Sequence, residues 1–127
     1  MATSFKELRV WQNGMDLAMR VFHLSKSFPA EERYSLTDQI RRATRSVPSN
    51  ISEAWRKRRY PAAFVSKLSD SEAEAAETQT LVELAKRCGY LDTETALELD
   101  GACEQILAQL MTMIRGADTW CLPEGER

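Results

Sequence analysis

Between Leu99 and Trp120 one apolar seam runs through Leu99, Cys103, Ile106, Leu110, Met113, Ala117 and Trp120, a strict alternation of four and three residues. An α-helix turns through about 100° per residue, so this spacing keeps every position on one side of a helix. A strand, with its period of two, would scatter the same residues over both faces. Three more stripes of the helical kind precede it. One carries Leu8, Trp11, Met15, Ala18 and Phe22, with Leu17, Val21, Leu24 and Phe28 beside them, a wide apolar face. The next is Leu36, Ile40, Ala43, Val47, Ile51 and Ala54. The third is Phe64, Leu68, Ala75, Thr78, Leu81, Val82 and Ala85. Pro29 stops the first stripe, Pro61 suits the opening turn of the third, and Gly89 suits its left-handed end. Asn-Gly hairpin turns and β-branched runs are missing. The expectation is an all-α chain, an antiparallel up-and-down four-helix bundle in one domain, 1–127, with helices at about 7–27, 36–57, 61–88 and 93–120.

Within the second helix Pro48 removes one backbone donor and presses on the carbonyl of Thr44, which predicts a kink. The apolar stripe resumes in phase beyond it, so one bent helix is expected there. Ser35, three residues before Asp38, reads as an N-cap of that helix, and Asp92 reads as the cap of the fourth.

At 127 residues and 43% hydrophobic content the chain can bury a core without staples. Its three cysteines, Cys88, Cys103 and Cys121, are odd in number and lack C-x-x-C spacing, against both a disulfide framework and a zinc site. They are expected reduced, with Cys103 in the core. No run of eighteen apolar residues occurs and the first residues hold no apolar leader core, so the expected location is the cytoplasm, away from membranes.

The net charge of −2 conceals a segregation. Residues 41–68 hold eight cations against Glu53 alone, a local +7, whereas residues 70–127 hold four cations against thirteen acids, a local −9. On a helical wheel Arg42, Arg45, Ser49 and Arg56 fall opposite the apolar stripe. Guanidinium groups repeated along one face can pair with successive phosphates. Arg41, Arg42, Arg45, Arg56, Lys57, Arg58 and Arg59 are therefore the candidate nucleic-acid contacts, with Tyr60 available to stack on an unpaired base. A solvated face, or salt bridges to acids of other helices or of another subunit, explains the same arginines equally simply. The sequence pI near 5.5 favours that second explanation.

Asn50, Glu53, Glu77, Thr78 and Gln79 stand at or beside apolar positions of the second and third helices, where a polar network would fix helix register. His23 is the only histidine, E-x-x-H is absent, and neither G-x-S-x-G nor a glycine-rich phosphate loop occurs, so no enzyme, metal or cofactor is expected. Trp11 and Trp120 read as core. Trp55, at the stripe's border between Glu53 and Arg56, reads as half covered and suited to an interface.

LTDQIRRATRSVPSNISEA from Leu36 to Ala54, with ERYSLTDQIRRA overlapping it and AETQT and ELAKRCGYL following, resembles the four-helix-bundle proteins encoded in intervening sequences of bacterial large-subunit ribosomal RNA genes. Accessory proteins of diversity-generating retroelements share that fold. The resemblance runs from about Phe5 to Trp120, although the family usually has glycine where Ala54 stands. It implies a homopentamer, with Trp55 and Phe64 as fitting interface residues. It also implies a non-enzymatic binding or scaffold protein whose partner is RNA or a nucleic-acid enzyme such as a reverse transcriptase. The alternative is a purely structural homo-oligomer without nucleic-acid binding.

Overall fold

The computed structural model describes residues 2–127. Five α-helices follow one another: α1 Arg9–Ser25, α2 Leu36–Arg56, α3 Pro61–Arg87, α4 Thr93–Arg115 and α5 Ala117–Trp120, and the described residues contain no strand. The four long helices pack in chain order around a square, α1 on α2, α2 on α3, α3 on α4, with α4 closing against α1. The α1/α2 side therefore lies across the bundle from the α3/α4 side.

Val47, Ile51, Phe64, Leu68, Cys103, Ile106 and Leu110 are all buried to 1% exposure or less at the centre, the positions at which the four stripes converge. Burial of such side chains is worth roughly 1.5–3 kcal/mol each, which holds the helices together more strongly than helix propensity does. Ala75 and Ala85 line the thin middle and end of α3, so α2 and α4 approach it closely. Thr44, Ser71 and Thr78 are fully buried yet satisfied: Thr44 and Thr78 donate to carbonyls one turn back, and Ser71 donates across to the Val47 carbonyl at 2.9 Å.

Several local expectations meet different geometry. Before α1 a 3-10 turn, Phe5–Glu7, is capped by Ser4, whose hydroxyl accepts from the Lys6 amide. Ser35 makes no side-chain cap on α2, and the Glu32 carboxylate reaches instead to the Leu36 amide at 3.3 Å. Asp92 does cap α4, accepting from the Thr95 amide at 2.7 Å, and Gly89 takes φ 81 where α3 ends. The seam expected to run unbroken to Trp120 is interrupted at Gly116, whose amide bonds back to Thr112, and the chain restarts as the single turn α5. α2 runs through Pro48 as one helix.

Candidate nucleic-acid interface

The basic stretch begins on α2 and ends in the tight turn Lys57–Tyr60 that leads into α3. Helical phase aims Arg42, Arg45, Ser49 and Arg56 outward, and all four are exposed. They do not share one environment. Arg42 lies over a polar cleft of about 290 Å³ between α2 and α3, 3.6 Å from Asp38 on its own helix. Arg45 turns toward α1, its guanidinium 5.9 Å from the centre of the Phe22 ring. Arg41 also reaches that ring, at 4.9 Å, and its Nε donates to Ser25 at 2.7 Å, so it is tied into the α1/α2 contact.

At the corner the cations divide again. Arg58 lies flat on Trp55, 3.5 Å from the ring centre, with its Nε donating to the Trp55 carbonyl at 2.9 Å. Partial burial pulls its guanidinium below the usual arginine range, the direction expected when a charge loses water. It braces the corner. Arg56, Lys57 and Arg59 are exposed, and among the described residues no carboxylate lies within 4.0 Å of any of them. Tyr60 beside them is 60% exposed. The C-terminal segment holds this corner from behind: the Leu122 amide donates to the Arg58 carbonyl at 3.0 Å, and Trp120 packs edge to face on Trp55 with ring centres 6.5 Å apart.

Trp55, expected half covered at an interface, is 6% exposed, with Trp120 packed edge to face against its ring and the Arg58 guanidinium over it. Phe64, the other expected interface residue, is fully buried as a core side chain near the start of α3. Trp11 departs in the opposite sense: it is partly exposed, 5.4 Å from the Phe5 ring, and lines a surface groove rather than the core.

The polar residues of α2 and α3 do not join into one network. Asn50 donates to the Ser46 carbonyl at 2.9 Å, Glu53 pairs with Lys67 at 2.8 Å, and Gln79 donates to Asp100 of α4 at 3.2 Å. Glu77 is exposed and stands one turn from Glu74 on the α3 side of the polar cleft. Burial, with Glu77 and Asp70 adding their negative charge, raises the Glu74 carboxyl above the usual carboxylate range. The Glu53–Lys67 pair ties α2 to α3 and the Gln79–Asp100 bond ties α3 to α4, whereas the Asn50 bond stays within α2. Ser46, the one hydroxyl in that cleft, is committed to the Arg42 carbonyl at 2.9 Å.

Elsewhere, burial pushes the Cys103 thiol up to about 12, so it stays protonated, and Cys121 is buried and raised as well. Cys88 is exposed, as is His23, which packs on Phe22. Among the described residues no three His, Cys, Asp or Glu side chains stand close enough to hold a metal ion, and no helix is long and apolar enough to cross a membrane.

The sequence reasoning passed over an apolar surface groove of about 620 Å³ between α1 and α2. Phe5, Trp11, Met15, Met19, Phe22 and Pro48 form its floor and walls. The signal was present in the first apolar stripe, which is wider than one buried seam requires.

Comparison with known proteins fits these features. No functionally curated protein matches the chain. Among solved structures it is similar to a crystal structure of a protein of unknown function from the S23 ribosomal protein family of Bacteroides thetaiotaomicron, with a TM-score of 0.75 and 28% identity over 84% of this chain and 95% of that one. The model of the 23S rRNA-intervening sequence proteins matches residues 6–112, the whole of α1, α2 and α3 and most of α4. By that match, and with the bundle in agreement, the chain belongs to the 23S rRNA-intervening sequence protein family.

Proposed function

We propose that this protein is a non-enzymatic, self-assembling scaffold that binds RNA through the basic corner between α2 and α3. The observation that carries this is the set of three exposed cations, Arg56, Lys57 and Arg59, with no carboxylate in reach and an exposed Tyr60 alongside, in a chain whose net charge is −2. Nineteen acids are present, and structural arginines in such a chain would be expected to sit against some of them. Arg42 does so with Asp38, and Lys67 does so with Glu53. The corner cations do not. Their backbone is fixed by the Trp55, Arg58 and Trp120 stack, so little ordering entropy is lost when a phosphate arrives.

Phosphates would pair with the guanidinium and ammonium groups while a flipped base stacks on Tyr60, the usual mode for unpaired RNA. Fluorescence anisotropy with a labelled single-stranded RNA and a labelled hairpin at about 50 mM salt tests it, a low ionic strength at which phosphate contacts are strong. Binding should be present in the wild type and weakened at least tenfold in an Arg56→Ala/Lys57→Ala/Arg59→Ala variant whose particle size is unchanged. Absence of RNA binding by the wild type, or a smaller particle with unaltered RNA affinity in the variant, would leave the corner a purely structural feature.

A further inference from the structure

We infer that the α1/α2 groove seats unpaired bases of an RNA strand whose phosphates run on to the α2–α3 corner. The inference rests on the RNA binding proposed above and extends it to a second surface. One ridge of α2 joins the two. Arg45, Ser49, Ser52 and Arg56 follow at intervals of four, three and four residues, so helical phase stacks them on one side of the helix. Arg45, Ser49 and Ser52 line the groove, and Arg56, one turn further on, is the first cation of the corner. At about 1.5 Å per residue the ridge spans roughly 16 Å, which suits a length of strand rather than a single nucleotide.

The groove combines an apolar floor with basic ends. Met15 and Met19 are 38% and 50% exposed, and Trp11 stands partly covered beside them. An indole is a stacking platform for any base, and unbranched methionine side chains adapt to what lies on them. Lys6, on the turn before α1, stands at the end nearer the corner. At the other end Lys26, Arg41 and Arg45 gather around Phe22, 4.7, 4.9 and 5.9 Å from its ring centre. Among the described residues no carboxylate lies within 4.0 Å of these four cations, and no Asp or Glu lines the groove. Of the acids next to its walls, Glu7 accepts from Thr3 and Glu53 pairs with Lys67 on the α3 side. An amphiphile with one charged head would engage one end only. A duplex keeps its base faces stacked on each other, so the apolar floor offers it nothing. A single strand, charged at every step and with bare base faces, uses both ends, the floor and the ridge that leads out to the corner.

The probes are a labelled oligouridine and a strand of the same length whose riboses carry no bases. Trp11→Leu keeps apolar cover over Phe5 and removes the indole, with circular dichroism checking the fold. In anisotropy titrations this variant should bind oligouridine at least about fivefold more weakly than the wild type and the base-free strand equally well. Its slope of log affinity against log salt should match the wild type, because stacking releases no counterions. Without any variant, 4-thiouridine placed in the strand should crosslink under light to wild-type peptides from the Trp11–Phe22 segment as well as to the corner around Tyr60. Wild type that binds neither strand would overturn the RNA reading and this inference together. Crosslinks confined to the corner, as when a protein surface fills the groove, would leave the corner standing and overturn the groove as a base seat. So would a folded Trp11→Leu that binds oligouridine as the wild type does, or that loses the base-free strand to the same degree.

Discussion

Gly14 of α1 faces Pro48 of α2 so closely that a Cβ on the glycine would lie 3.4 Å from both the Cβ and the Cδ of the proline, and 3.3 Å from Cγ1 of Val47. The proline ring and the missing side chain fit together at the floor of the groove. Pro48 is thus retained inside a helix by what it packs against, and the groove exists because α1 and α2 meet here backbone to ring.

Gly14→Val should therefore force α1 away from Pro48 and cost roughly 1–3 kcal/mol, the range for overpacking a tight contact. Gly101, in the exposed interior of α4, has nothing within 4 Å of a Cβ, so Gly101→Ala should stabilise by about 0.5–1 kcal/mol through helix propensity. Urea unfolding of both variants checks the pair of opposite signs, and equal effects would mean that α1 and α2 are not this close.

Trp55→Ala should cost roughly 3–5 kcal/mol, since the ring is buried and both Trp120 and Arg58 lose their partner. A loss below about 1 kcal/mol in denaturant unfolding would show the ring to be exposed in solution.

How far the sequence alone led is clearest around this tryptophan. The stripe through Ile40, Val47 and Ile51 placed α2 correctly because a long amphipathic helix has one stable way to lie on a core. Trp55 was misplaced because its cover comes from Trp120, sixty-five positions away, and that cover depends on the chain breaking at Gly116. Periodicity carries no record of such a break. The arginine row was legible as an exposed face, but the division between the tied Arg41 and Arg58 and the unpartnered Arg56, Lys57 and Arg59 depends on rotamers and neighbours from other helices. Gly14 was silent for a related reason: a glycine in a helix pattern shows only that something is close.

Cysteine chemistry should separate the three thiols. Cys88 is exposed, while burial holds Cys103 and Cys121 protonated, so a disulfide dye should titrate one thiol promptly in the native protein and all three in denaturant. Prompt reaction of two or three native thiols would contradict the packing of α4 and the C-terminal segment.

Glu74 gives a pH dependence with a definite sign. Its folded value is raised by burial and by Glu77 and Asp70, so the folded state holds the proton more tightly than the unfolded chain does. The ionised form then weighs against folding above the raised value, and that cost disappears as pH falls below the ordinary carboxylate range. Asp38 and Arg42 face the same cleft from α2 and act in opposite senses. Glu74→Gln should accordingly raise the thermal midpoint at neutral pH, with the gain shrinking toward zero near about pH 4. A midpoint that falls at neutral pH would mean the carboxylate is stabilised in the fold.

The central claim, that the α2–α3 corner neutralises RNA phosphates, is tested most directly by the salt dependence of RNA affinity. Log affinity against log salt should be a falling line for the wild type, and for Arg56→Ala/Lys57→Ala/Arg59→Ala its slope should be shallower by about 2, since each lost contact to a single strand removes roughly 0.7. Parallel lines for the two proteins, or a flat line for the wild type, would contradict it.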